Sequence, residues 1–225
     1  MRTKKHKNAY LILMIGLVSI FLLLYYFNLI PHPRFTNSFF GIETLKSLND
    51  QDNDGIDDQT DILTEARAYV ATKPKYKSVY YAEGYPNDDY GTCTDVVGFA
   101  LLNSGYDLME LVNQSVLSNP TLYNIPTVDK RIDFRRVNNL KTYFDLTAQS
   151  LTIDLDNRSE WQGGDIVVFP KHIAIVSDLR NWQGYPFIIH HGGQLFYEED
   201  AITRYTIVGH YRIQKKNPGE IRDYL

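Results

Sequence analysis

One thiol and a handful of histidines are the residues of this chain equipped for covalent chemistry. Cys93 is the only cysteine among 225 residues. It stands where the turn-rich run GYPNDDYGT gives way to CTDVVGFALLNSG, which has a helical pattern. The thiolate is the nucleophile, and a helix N-terminus near a histidine lowers a thiol's pKa. The chain offers His6, His32, His172, His190, His191 and His210. His172 opens the run HIAIVSD, while His190 and His191 end PFIIHH. Side chains alternate along a strand, so only one of that last pair can face the thiol. A nucleophile, a base and a third polar group that orients the base together support acyl transfer or hydrolysis. The competing reading is an inert buried thiol, since free cysteine is among the most buried residue types.

A second group of chemistry-bearing residues lies upstream, in DQDNDGIDDQTD (50–61). Asp50, Asp52 and Asp54 fall at loop positions 1, 3 and 5, Gly55 at 6, Asp58 at 9 and Asp61 at 12. That spacing fits an EF-hand-type loop, with Ile56 offering its backbone carbonyl. The loop resembles the short calcium repeats of bacterial surface proteins, with Asp61 where a bidentate Glu is usual. A structural Ca2+ is therefore expected, and no organic cofactor. The alternative is a solvated acidic turn that caps a helix beginning at Ile62, through Asp58, Thr60 or Asp61.

The elements that must position these groups can be read from periodicity. Ile62, Leu63, Ala66, Tyr69 and Val70 make a helical stripe that should stop near Lys73, ahead of Pro74. The next helix begins at Cys93 with a stripe through Val96, Val97, Ala100, Leu101 and Ser104, and Gly105 suits its C-terminus. Cys93 heads that stripe, so its sulfur should point inward. Helices are also expected over 107–117 and 138–148. The period then changes to two in GDIVVFP, HIAIVSD, PFIIHH and TIVGHYRI, as in antiparallel strands. Helices followed by strands predict an α+β domain with its helices packed on a small antiparallel sheet.

The first 30 residues belong to another regime. Arg2, Lys4, Lys5 and Lys7 precede an uncharged run from Ala9 to Ile30. As a helix that run spans roughly 33 Å, enough for the ~30 Å core of a bilayer. It lacks the small-residue cleavage pattern of a signal peptide, so a retained single-pass anchor is expected over a cleaved signal. The basic N-terminus should stay cytoplasmic and the domain should lie outside. Beyond the N-terminal Lys and Arg, 19 of the 23 basic side chains remain against 27 acidic ones, a net of −8. Such a balance excludes nucleic acid as the expected partner. The organisation is then a basic segment (1–8), an anchor (9–30), a linker (31–48), the acidic loop (49–61), the domain (62–213) and a polar tail (214–225).

Taken together, CTDVVGFALLNSGYDL, GDIVVF, HIAIVSD and IIHH resemble the NlpC/P60 branch of papain-like cysteine peptidases. More closely, GYPNDDYGTCTDVV, IDFRRVNNLKTYF, GGDIVVF, HIAIVSD and GHYRI resemble the DUF1287 family, from about Ile62 to Ile213. The resemblance implies a papain-like fold, with Cys93 as nucleophile, His172 as base and His190 as the third group. Thr92 stands where many NlpC/P60 enzymes carry Asp. The same resemblance implies hydrolysis of amide bonds in peptidoglycan peptides, with the membrane reached through the N-terminal helix. Arg135 and Arg136 are candidate ligands for a substrate carboxylate. A non-catalytic wall-binding or scaffold module on the same fold is the alternative from another class, and a thiol acyltransferase is a third reading.

Overall fold

The computed structural model describes residues 2–213, with side chains from residue 8 onward. The tail expected at 214–225 lies outside the described residues, as do the side chains of residues 1–7. The chain divides into two compact units, one ending at Pro33 and the other beginning at Arg34.

The first unit is helix α1 (Arg2–Tyr26). Its stretch Asn8–Tyr26 is long and apolar enough to cross a membrane, and none of it is buried. The helix stops four residues short of the expected Ile30. Asn28 adopts φ 51°, and Leu29 N–H returns to the Leu24 carbonyl at 2.8 Å, a left-handed helix ending.

The second unit begins with strand β1 (Phe35–Thr36), a 3-10 turn at Asn37–Phe40, and helix α2 (Asp58–Ala71). Strands β2 (Lys75–Tyr76) and β3 (Tyr90–Gly91) pair in parallel. Helices α3 (Cys93–Asn103), α4 (Leu108–Ser118), α5 (Pro120–Tyr123), α6 (Lys130–Asp133) and α7 (Val137–Thr147) follow. The chain closes with β4 (Gln149–Ser150), β5 (Ile166–Phe169), β6 (His172–Arg180), β7 (Pro186–Ile189), β8 (Glu198–Glu199) and β9 (Gly209–Arg212). The main sheet is antiparallel, in the order β4-β9-β5-β6-β7-β8, with β1 paired to β6. The domain is thus α+β, with short strands β1–β3 set around α2 and the remaining strands after the helices.

Two corrections concern boundaries. The segment read as a linker, 31–48, supplies β1, and Asn37 anchors it by accepting from the buried Arg180 guanidinium at 2.6 Å. Leu45 N–H adds a bond to the Gln162 side chain. Helix α2 starts at Asp58 rather than Ile62, because Asp57 is its N-cap and accepts from the Thr60 N–H and hydroxyl and from Ser47 N–H. None of Asp58, Thr60 and Asp61 is the cap.

Alternation along the strands divides the buried side chains into two layers. Ile166, Val168, Ile173, Ile175 and Ile189 face α2, α3, α4 and α7, where Ile62, Val97, Leu101, Val112 and Phe144 complete the larger core. Val167, Phe169, Ala174, Val176 and Ile188 face the other way, onto Trp161, Ala201 and Ile202. The site described below lies where these two faces meet, at the end of the sheet where β5 turns into β6.

Candidate active site

Cys93 is the first residue of α3 because Thr92 and Asp95 close the helix start. The Thr92 N–H and hydroxyl both donate to Asp95 Oδ2, at 2.8 and 2.9 Å. Arg135 completes that corner. Its guanidinium grips Asp95 in two parallel bonds of 2.9 and 2.8 Å, both side chains being buried. Three of the five Arg135 N–H donors thus go to Asp95 and the Val79 carbonyl, so this candidate for a substrate carboxylate is buried and largely engaged within the fold. Arg136 is half-exposed, 3.7 Å from Asp133. It lines a cavity of about 590 Å³ with Asn124, Asn138, Thr142, Pro170 and Lys171.

The sulfur packs against the larger core, as the head of an apolar stripe must. The backbone N–H groups of Ile173, Thr94 and Cys93 favour its thiolate, but burial outweighs them and the Asp95 charge adds to it, so the thiol is pushed up to about 11. The expected depression by the helix start is thus reversed: desolvation of a half-buried sulfur exceeds what first-turn N–H groups return. Ile173 follows His172 directly, so the thiol sits against the opening of β6.

His172 enters through the tight β5–β6 turn, where Phe169 pairs with His172 across two intervening residues. Its Nε2 lies 2.7 Å from Nδ1 of His190. Nε2 of His190 in turn lies 3.1 Å from Glu199 Oε1. A carboxylate only accepts, so His190 Nε2–H donates to Glu199, and a neutral His190 then presents Nδ1 as acceptor. His172 must donate through Nε2–H, which leaves its Nδ1 as the basic nitrogen. Burial, then the charges of His190 and His191, hold His172 down at about 3, so its imidazole is neutral at ordinary pH. No hydrogen bond joins Cys93 to His172 among the described residues.

Alternation also settles which member of the HH pair joins His172. His190 has the parity of Ile188 and meets Glu199, whose strand pairs Ile188 with Glu199. His191 turns to the opposite face, between Tyr76 and Tyr197. Burial leads in lowering its pKa, against the Lys75 and Pro74 backbone groups that raise it. Tyr205 stacks at a tilt on His172, with ring centroids 5.6 Å apart, and lies edge-on to His190.

Glu199, Tyr205 and Arg67 were not found by sequence reasoning. β8 is two residues long, and a Glu-Glu pair without apolar alternation carries no strand signal. Its neighbour Glu198 points the other way and accepts from Arg67 at 2.7 Å and from Ser177, which ties α2 to the sheet beside Asp178. His210 sits elsewhere, buried between Asp165 and the Thr152 carbonyl.

In the acidic loop the carboxylate oxygens of Asp50, Asp52 and Asp54 lie within 4.8 Å of one another, all exposed. Asp58 is not in that group; it accepts from Gln51 N–H at 2.8 Å and from the Tyr106 hydroxyl at 2.5 Å. Burial first, then the charges of Asp54 and Asp52, raise Asp61 to about 6.

Comparison with known proteins agrees with the closer of the two resemblances. Residues 63–213 match the domain of unknown function DUF1287. The uncharacterized protein YijF of Escherichia coli (strain K12) is 35% identical over 164 residues, covering 67% of this chain and 80% of YijF. No solved structure matches. With the match spanning Cys93, His172, His190 and Glu199, the chain belongs to the DUF1287 family.

Proposed function

We propose that the protein is a cysteine hydrolase of NlpC/P60 type, tethered to the membrane and cleaving amide bonds in peptidoglycan peptides. The observation that carries this reading is the line Glu199–His190–His172, which fixes both histidine tautomers and leaves His172 Nδ1 as a free base at the strand opening where Cys93 packs. Glu199 also stabilises the imidazolium that forms when His172 takes a proton, through the intervening His190.

The steps follow from those groups. His172 Nδ1 accepts the Cys93 thiol proton as the sulfur bonds to the amide carbonyl carbon. With the thiol held near 11 and the imidazole near 3, proton transfer accompanies attack rather than preceding it. The N–H groups of Cys93 and Thr94 are first-turn donors with no partner within the helix, suited to the developing oxyanion. The C–N bond then breaks, the amine leaves with the proton from His172, and a thioester stays on Cys93. Water, deprotonated by His172, hydrolyses the thioester to a carboxylate and restores the thiol.

The substrate class rests on two supports. The stretch Asn8–Tyr26 of α1 is long and apolar enough for an anchor, and the Lys and Arg residues at the start of α1 favour a cytoplasmic N-terminus with the domain outside. The cavity that borders the β5–β6 turn carries Arg136 and Lys171, cations matched to peptides bearing free carboxylates. The test is to incubate the full-length protein in detergent with purified peptidoglycan and follow soluble fragments by mass spectrometry. Fragments with new amino and carboxyl ends, absent with Cys93→Ala, are expected. Wall binding without fragments supports the scaffold reading instead, and transfer to an added amine supports an acyltransferase.

A further inference from the structure

The cavity beside the β5–β6 turn carries a charge opposite to that of the chain around it. It encloses about 590 Å³, within the range of small-ligand pockets. Acidic side chains outnumber basic ones in the chain, 27 to 23, yet among the described residues that line this cavity none is Asp or Glu. Its two charged groups are both cations, Arg136 and Lys171. Arg136 meets only Asp133, at 3.7 Å, which is beyond hydrogen-bond range. Asp133 Oδ2 in turn accepts from the Asp129 N–H, so the Arg136 charge is offset in part and its fork of donors stays open. The Lys171 ammonium has no hydrogen bond or ion pair among the described residues.

The backbone adds to these cations. Helix α7 opens at Arg136, whose side chain does not cap it, and its first turn holds no acidic residue. The N–H groups of Val137, Asn138 and Asn139 have no partner within the helix, and all three residues line the cavity. An eleven-residue helix therefore brings the positive end of its dipole to the same space. Leu122, 55% exposed, and Ile125 add apolar surface to the lining. A bare inorganic ion cannot use that surface, whereas the side chain of a peptide can.

We propose that this cavity is a subsite for a free carboxylate of a peptide, in which Arg136 and Lys171 select the acid over its carboxamide. Its substrate is that of the hydrolase reading, on which this assignment rests. Lys171 directly precedes His172, with ~3.8 Å between consecutive Cα atoms, so an anion held at the turn belongs to the peptide that reaches Cys93. The planar Arg136 guanidinium matches both oxygens of a carboxylate, and Lys171 supplies a point charge. A carboxamide has one acceptor oxygen and no charge. It forfeits the paired contact with Arg136 and the attraction of Lys171.

The test uses full-length Cys93→Ala protein in detergent, so that binding is read without turnover. It is titrated in a calorimeter with a synthetic wall stem peptide bearing free carboxylates, and with the same peptide bearing carboxamides in their place. The acid is expected to bind at least ~10-fold more tightly, the effect of a hydrogen bond to a charged group. Both cations lie at the surface, so the advantage should shrink as NaCl is raised. Arg136→Gln and Lys171→Gln should keep the melting temperature, and each should remove most of the preference. Arg131→Gln, at an exposed arginine outside the cavity, should bind as the parent does. A preference for the acid, together with wild-type protein that cleaves no wall, would support the subsite and count against the hydrolase. Equal affinity for the two peptides, no heat with either at millimolar concentration, or a preference that survives both Gln substitutions overturns the subsite even where the wall is cleaved. Inorganic phosphate bound as tightly as the acid peptide would reduce the cavity to a simple anion site and overturn the peptide assignment.

Discussion

Asp165 and Glu199 each hold a buried histidine from a neighbouring strand, and the two clusters finish their hydrogen bonding differently. Asp165 accepts from Gln59, Gln162 N–H, His210 and both arms of the Arg212 fork. His210 spends its second nitrogen on the Thr152 carbonyl, and Trp161 stacks on its ring at 3.7 Å. Both Asp165 oxygens and both His210 ring nitrogens have partners. The Glu199 line runs the same way through His190 to His172, then stops, with no hydrogen bond at His172 Nδ1 among the described residues. Saturated bonding leaves a histidine with nothing to give, so His210 holds β9 to β5. An open nitrogen at the end of a fixed tautomer chain is what a base requires.

Substitutions in the two clusters should therefore separate stability from turnover. The largest effect belongs to Asp165→Ala, which strands Arg212 and His210 in the core. Removing one partner of a buried ion pair costs about 3–5 kcal/mol, and thermal melts should show a drop of many degrees or no folded protein. His172→Ala should melt close to wild type while turnover of wall peptides falls by about 10²–10⁴-fold, the usual contribution of a positioned base. Equal loss of stability in the two variants would erase the contrast.

Glu199→Gln is a finer probe. The amide can still accept from His190 but no longer offsets an imidazolium, so kcat should fall less than in His172→Ala while the melting temperature holds. The last probe is pH. His172 is held at about 3 against 6.5 for an ordinary imidazole, so between those values the unfolded chain binds a proton that the folded chain does not. Its contribution to stability is complete above about 6.5 and is lost as pH falls toward 3. His191, also lowered, acts in the same direction. Denaturant unfolding above and within that window should show a steeper decline for wild type than for His172→Ala.

Much of this arrangement could be read from the residues alone. The switch from helical to strand period gave the α+β order, and CTDVV placed Cys93 on the first turn of α3 because an apolar stripe begins there. His172 at a strand opening followed from GDIVVFPKH, two alternating runs around a two-residue turn. The linker was misread because FTNSFF has no period: its attachment depends on the buried Arg180 meeting Asn37, a contact 143 residues apart. Glu199 was invisible for a similar reason, since only the β7–β8 register sets it under His190. The raised thiol reflects a balance of burial against backbone dipoles that residue types do not reveal. Arg135 looked free for a ligand because nothing in IDFRRV shows that Asp95 waits for it.

The central claim is that the Cys93 sulfur carries the acyl group. Full-length protein in detergent, mixed with peptidoglycan stem peptides and quenched in acid at short times, should gain the mass of a peptide acyl fragment in intact-mass spectrometry. Peptide mapping should place it on Cys93, hydroxylamine should remove it, and Cys93→Ala should show neither adduct nor cleavage. Cleavage that persists in Cys93→Ala, or wild-type protein that yields neither adduct nor fragments, would contradict the account.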